Sequence, residues 1–309
     1  MPGLKELSKK EELLCGGHRM CPGCAAPVIV RQILLSTDTH VVVGSATGCL
    51  EVSSSIFPYT SWKCSWIHNA FENVASTISG VETAYRALKK RGRLDTEYRF
   101  LALGGDGGTY DIGLQALSGA LERGHRMLYI CYDNEAYMNT GIQRSSSTPL
   151  GAHTTTSPAG KVIPGKKEFP KDLTGIVAAH NVPYVAQASP SHWRDLTKKV
   201  VKALDAEGPS FINIISPCPP GWAYPQHLTI KMARMAVETC FWPLYEVENG
   251  VWKITYTPKE KKPLDEWSKQ QGRFRHLYEP RNRHILEKAQ VEVDRRWEEL
   301  QRRATPTGR

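Results

Sequence analysis

The sequence predicts an α/β fold: a mostly parallel sheet flanked by helices, followed by a C-terminal hairpin and a helical arm. Three observations predict it. Between residues 40 and 216, short β-branched runs alternate with helical stretches, which is the pattern of a parallel sheet covered by helices. Two of those runs end in "GGDGG" and "DN", at strand ends of the kind where open α/β sheets bind ligands. After Cys218 the alternation stops.

Five strands are expected, in "HVVVGSA", "YRFLALGG", "RMLYICYD", "VPYVAQA" and "SFINIIS". Between the first two, "FENVASTISGVETAYRALKKRG" reads as an amphipathic helix with a basic last turn and Gly92 as a left-handed cap. "DIGLQALSGALERG" offers Asp111 as N-cap and Gly124 just past the end. Residues 138–170 are rich in Gly, Pro, Ser and Thr, and so long a loop in a compact domain tends to be functional. In "PLYEVENGVWKITY", Asn249-Gly250 sits between alternating apolar residues and predicts a hairpin; residues 282–303 look helical and highly charged. No internal repeat is visible. The expected division is a ligand-binding domain over 1–225 and a C-terminal extension over 226–309, which suits an arm contacting a partner subunit or a solvated tail.

The 309 residues are 40% apolar, enough to fill a large core. Apolar runs fall short of the roughly 20 residues that span a bilayer, and no opening segment has the build of a secretory signal, so a soluble, cytoplasmic chain is expected. Eight cysteines are too few for a disulfide scaffold of this length. The net charge of +9 with a pI near 9.1 permits nucleic-acid binding. Many of the bases, however, lie among acids beyond Pro258, and no nucleic-acid motif accompanies them; a basic face for an acidic protein or anionic small molecule is the better reading.

The most informative stretch is "LALGGDGGTYDIGLQALSGALERGHRMLYICYDNEAYMNTG". Two strands of one parallel sheet would open on the same edge, so Asp106 and Asn134 can converge. A carboxylate and an amide oxygen suit Mg²⁺, which prefers oxygen ligands and commonly shares them with phosphate. The neighbouring glycines would let backbone amides approach a diphosphate. Gly-Asp-Gly alone is also an ordinary turn. Asp133 reads as a turn or cap residue.

Four thiols can meet near the same edge. Cys21 and Cys24 form a CxxC in "GHRMCPGC", while Cys49 and Cys218 each follow a predicted strand. By spacing alone they serve a tetrahedral zinc or an iron–sulfur cluster. Cys131 and Cys240 have apolar company and read as buried; Cys15 and Cys64 lack a second thiol at ligand spacing.

"GHRMCPGC", "ATGC", "GGDGGTYDIGLQALSGA", "YICYDNEAYMNTGIQRSSSTP" and "SPCPPGW" together make the chain resemble the β subunit of the 2-oxoacid:ferredoxin oxidoreductases, most closely the pyruvate type, over about residues 16–230. The resemblance implies a thiamine-diphosphate-binding fold and an oxidoreductase that oxidatively decarboxylates a small 2-oxoacid, with pyruvate favoured and oxalate or another small oxoacid as the alternative. It implies one Mg²⁺ held by Asp106, Asn134 and the Ala136 carbonyl, and thiamine diphosphate lined by Thr47, Gly48, Gly105, Gly107 and Gly108. Cys21, Cys24, Cys49 and Cys218 would hold one 4Fe-4S cluster, and Asn139 and Thr140 would face the reactive end of the cofactor. From the residues alone, Asn139 is a turn residue and Thr140 a local backbone binder.

Implied partners are an α-type subunit completing the cofactor site, a ferredoxin-like subunit or domain, ferredoxin, and coenzyme A in the pyruvate reading. The chain has no ferredoxin-like run of cysteines and no second α/β unit to clasp the pyrimidine ring, so it should be inactive alone. A non-redox thiamine-dependent decarboxylase would not need four thiols. A zinc-stabilised basic interaction module would not need Asp106 and Asn134 at matched strand ends.

Overall fold

Six strands pair in parallel: β1 (His40–Ala46), β2 (Ser65–Asn69), β3 (Tyr98–Gly105), β4 (Leu128–Asp133), β5 (Tyr184–Ala188) and β6 (Ser210–Ile215). Two antiparallel strands, β7 (Leu244–Glu248) and β8 (Val251–Tyr256), extend the β5 edge. The computed structural model describes residues 3–305; positions 1–2 and 306–309 of the two expected units lie outside it. The order across the sheet is β2-β1-β3-β4-β6-β5-β7-β8.

β4 and β6 are central, and every residue of each is buried. Strands covered on both faces favour continuous apolar runs over alternation, which is why "LYICYD" and "SFINII" read clearly. The five expected strands are all present, with β4 and β5 each starting two residues later than expected. β2 was not anticipated. It is an edge strand with three of five residues exposed, too short and too mixed to show a period, and its parallel pairing with β1 is non-local.

Alternation along β4 separates the two cores. Leu128, Ile130 and Tyr132 face the helices Ala25–Leu34 and Trp193–Asp205. Tyr129 and Cys131 face the helices Val74–Lys90, Leu114–Glu122 and Leu173–Ala178. Gly92 and Gly124 follow their helices in the left-handed region, at φ +64° and +71°, as C-terminal caps do. Asp111 is not the N-cap it was expected to be. Gly107–Ile112 form a π-helical turn, and the α-helix begins at Leu114 after Gly113. The widened turn directs Asp111 to the Ser146 amide and hydroxyl instead, with Lys171 Nζ 3.5 Å away.

Asn249 and Gly250 both have positive φ, 50° and 80°, the requirement of a type I′ hairpin turn, and they join β7 to β8 as expected. Beyond it, Leu286, Val293, Trp297 and Leu300 are the buried stripe of the helix Arg283–Ala304, spaced to share one face. Trp297 and Leu300 join the core beneath β8, while Leu286 and Val293 join a third cluster around Trp222, Met232, Trp267 and Phe274. Among the described residues, no helix is long and apolar enough to cross a membrane.

Candidate active site

Because β1, β3 and β4 run parallel, their C-terminal ends open together. Thr47, Gly48 and Cys49 follow β1; Gly105, Asp106, Gly107 and Gly108 close β3; Asn134, Ala136, Asn139 and Thr140 follow β4, and all of them line one cleft. The structure thus brings together every residue expected at the thiamine diphosphate and its cation; of the four expected cluster thiols, only Cys49 lies among them. A larger cavity of about 240 Å³ lies under the C-terminal helix, walled by Trp242, Trp252 and Trp267, and none of the expected site residues line it.

Two glycines are needed for close approach. A Cβ on Gly107 would lie 2.4 Å from the Tyr137 ring, and one on Gly108 would lie 2.8 Å from the Phe71 carbonyl. Tyr137 also donates its hydroxyl to the Gly107 carbonyl at 2.9 Å. Side chains there would close the cleft against Tyr137 and Phe71, so the glycine run keeps bare backbone facing the opening.

Asp106 is fully buried. Its Oδ1 accepts the Asn134 amide N–H at 3.2 Å and its Oδ2 accepts the Ser145 hydroxyl at 2.6 Å. Burial, followed by the neighbouring Asp133 charge, pushes its carboxyl well above the usual range. The Asn134 side-chain oxygen lies 2.9 Å from Asp106 Oδ1 and 2.7 Å from the Ala136 carbonyl. Turning the amide over would let Nδ2 donate to both oxygens. With the oxygen inward, the Asn134 oxygen lies from each of the other two at about the spacing of adjacent octahedral ligands around a Mg²⁺, roughly 3 Å for ligands about 2.1 Å away. The donor set therefore fits a hard divalent cation. Asp133 points to the other face of the sheet: both of its oxygens accept the Ser147 hydroxyl at 2.7 Å, and Oδ1 accepts Glu135 N–H at 3.0 Å, the turn role expected for it.

Of the four thiols, Cys49 alone lines the cleft, and the others come from neighbouring segments. Cys24 N–H closes the CxxC turn onto the Cys21 carbonyl at 3.0 Å. Cys49 opens the helix Cys49–Ser54, and Cys218 precedes the short helix Pro219–Trp222. Burial pushes Cys24 up to about 11, with the charges of Cys49 and Cys21 adding to it. Burial likewise pushes Cys218 up to about 12, with Cys24, Cys49 and Cys21 adding. Burial also raises Cys49, with the nearby Asn139 side chain opposing it. Among the described residues, no three His, Cys, Asp or Glu side chains are close enough to hold a single metal ion. Cys131 and Cys240 are buried, as expected, and all eight cysteines are free.

Several residues of the cleft were not legible in the sequence. Tyr132 is buried, and its hydroxyl has no hydrogen-bond partner in the cleft wall beside Gly48. The continuous apolar run of β4 hid which face Tyr132 takes. Phe71, Tyr137 and Met138 complete the lining. Asn139 and Thr140 stand exposed at the mouth in a turn, where Thr140 shares hydrogen bonds with Gln143.

The family model "Thiamine pyrophosphate enzyme, C-terminal TPP binding domain" matches residues 44–214. The pyruvate synthase subunit PorB of Thermotoga maritima is 54% identical over 302 residues, covering 96% of this chain and 93% of that protein. The chain belongs to the PorB family, the β subunits of 2-oxoacid:ferredoxin oxidoreductases. PorB of Methanocaldococcus jannaschii is 56% identical over 87% of this chain and 91% of its own length. The ketoisovalerate oxidoreductase subunit VorB of Pyrococcus abyssi is 43% identical over 96% of this chain and 95% of its own. A solved 2-oxoglutarate:ferredoxin oxidoreductase from Magnetococcus marinus shares the fold, with TM-score 0.54 and 22% identity over 70% of this chain and 77% of that one. As a PorB-family member the chain is an oxidoreductase subunit that uses thiamine diphosphate, which excludes the zinc-module reading of its function.

Proposed function

We propose that the chain is the thiamine-diphosphate subunit of a cytoplasmic pyruvate:ferredoxin oxidoreductase, in which pyruvate loses CO2 and its acetyl group passes to coenzyme A while two electrons leave for ferredoxin. The convergence of the Asp106, Asn134 and Ala136 oxygens in a cleft walled by Cys49 carries the reading. Pyruvate is favoured over a branched oxoacid because relatives named pyruvate synthase reach 54% and 56% identity, against 43% for the ketoisovalerate relative.

When bound, thiamine diphosphate supplies the electron sink on which a 2-oxoacid loses CO2. This chain's residues hold and orient it. Asp106, the Asn134 side chain and the Ala136 carbonyl hold Mg²⁺, and the backbone at Gly105, Gly107 and Gly108 meets the diphosphate. Thr47 and Gly48 form the facing wall. At the mouth, Asn139 and Thr140 face the reacting end, with the Asn139 amide placed to donate to a substrate oxygen.

Cys21, Cys24, Cys49 and Cys218 hold one 4Fe-4S cluster. Around one zinc ion, with Zn–S bonds of about 2.3 Å, tetrahedral sulfurs stand roughly 3.8 Å apart. A cubane would give each thiolate its own corner iron and so accepts wider spacing, which suits four thiols supplied by separate segments of the chain. An α-type subunit completes the cofactor pocket, and a ferredoxin-like subunit carries electrons onward.

Two measurements on the anaerobically purified complex test this. The complex should be brown, with a broad band near about 400 nm assignable to this chain, and colourless protein with stoichiometric zinc would overturn the cluster. The kcat/KM for pyruvate should exceed those for oxalate and 2-oxoisovalerate by more than about tenfold, roughly 1.4 kcal/mol in transition-state binding. Preference for either competitor would overturn pyruvate alone.

A further inference from the structure

Arg273 comes from the C-terminal extension, outside the segment matched by the thiamine pyrophosphate family model, and is almost fully buried. Its NH2 group donates to the equally buried Glu135 carboxylate, its Nε donates to Gln271 Oε1 at 2.8 Å, and its carbonyl accepts the His153 amide at 2.9 Å. The guanidinium carbon lies 4.1 Å from the centre of the Trp222 ring. Trp222 Nε1 in turn donates to the Asn134 carbonyl at 2.8 Å.

Glu135 separates Asn134 from Ala136, and its φ is +68°. A non-glycine residue in that region costs about 1 kcal/mol or more and persists where its surroundings over-determine it. Here they do. The Thr148 hydroxyl donates to the Glu135 carbonyl at 2.7 Å, Asp133 accepts its amide, and Arg273 takes its side chain. With the backbone reversed at Glu135, the Asn134 side chain lies 2.7 Å from the Ala136 carbonyl. A buried ion pair is a poor stabiliser compared with apolar residues of the same size, so the conformation it holds is the better account of its presence.

We propose that Arg273 is a positioning residue for the cation–diphosphate site, clamping Glu135 and Trp222 so that the Asn134 and Ala136 oxygens meet the cation together with Asp106. The inference rests on reading those three residues as cation ligands. Lysine cannot replace arginine here without loss, because it lacks the planar fork that bonds Glu135 and Gln271 while lying over Trp222.

The test is isothermal titration of thiamine diphosphate into the intact complex, depleted of cofactor, over a series of Mg²⁺ concentrations. Three variants are compared: Arg273→Lys, Glu135→Gln and Asp106→Ala. Arg273→Lys and Glu135→Gln should weaken binding at low Mg²⁺ by about tenfold or more and raise the Mg²⁺ needed for half-saturation, with affinity returning toward wild type in excess Mg²⁺. A merely structural role would lower the melting temperature without moving the Mg²⁺ half-saturation, and that result overturns the proposal. So does failure of both variants to assemble, which would make the pair a folding element. If Asp106→Ala leaves affinity unchanged, the ligand reading itself fails. Loss in Asp106→Ala with no change in the other two removes only Arg273.

Discussion

The side-chain amide of Asn134 stands 2.9 Å from Asp106 Oδ1 and 2.7 Å from the Ala136 carbonyl. Its nitrogen can donate to both oxygens, and its oxygen can turn inward when a cation lies against all three. Asp106→Ala removes the only charged member of the trio and should abolish Mg²⁺-dependent binding of thiamine diphosphate. Asn134→Ala removes a neutral ligand and should weaken it by about tenfold, roughly the 1.4 kcal/mol of a hydrogen-bond-sized loss. Titration calorimetry on the assembled complex reads both, and folding is checked by circular dichroism.

The same carboxylate predicts a pH dependence. Burial and the Asp133 charge raise the Asp106 pKa well above its ordinary value, so the protonated form persists to higher pH than for a free carboxylate. A cation binds the ionised form, and the two compete. Cofactor affinity in the presence of Mg²⁺ should therefore fall as pH is lowered through the raised Asp106 pKa, and binding on the acid side should release a proton. Calorimetry in two buffers of different ionisation enthalpy counts it. Affinity that stays flat as the pH is lowered across the range in which the complex stays folded, with no proton release, would contradict the assignment.

Asn139 and Cys49 line the same cleft, and the Asn139 side chain opposes the rise that burial causes at the Cys49 thiol. Hydrogen bonds to ligand sulfurs stabilise the more negative, reduced cluster. A bond worth about 1 kcal/mol corresponds to about 40 mV for a one-electron couple. If Cys49 is a ligand of the proposed cluster, Asn139→Ala should lower that cluster's reduction potential by about that amount, read by a redox titration followed by electron paramagnetic resonance. An unchanged potential with impaired turnover would leave Asn139 a substrate-facing residue only.

The chain supplies one α/β unit, with its cleft open on the side of Phe71, Asn139 and Thr140. Purified alone and loaded with cluster, Mg²⁺ and thiamine diphosphate, it should show no steady-state oxidation of a 2-oxoacid with an artificial electron acceptor, and activity should return on adding the α-type subunit. Full turnover by the single chain would mean that the missing half of the pocket lies within it.

The parallel sheet, the hairpin at Asn249-Gly250 and the residues at the ends of β1, β3 and β4 were legible in the sequence, because buried strands write apolar runs and both turns and phosphate sites demand glycine, asparagine or aspartate at set places. Cys49 and Cys218 were placed near the same edge for the same reason, since each follows a strand. Edge strand β2 could not be read, since half of it faces outward. Nor could the displacement of Asp111 from helix cap to Ser146 acceptor, which goes with the π-turn over Gly107–Ile112. Only the tertiary structure decided that Tyr132 faces the cleft and that Arg273, 138 residues from Glu135, reaches back to hold it. Local spacing carries residue type and period; which distant side chains share a buried charge is settled only when the chain closes on itself and each burial must be matched.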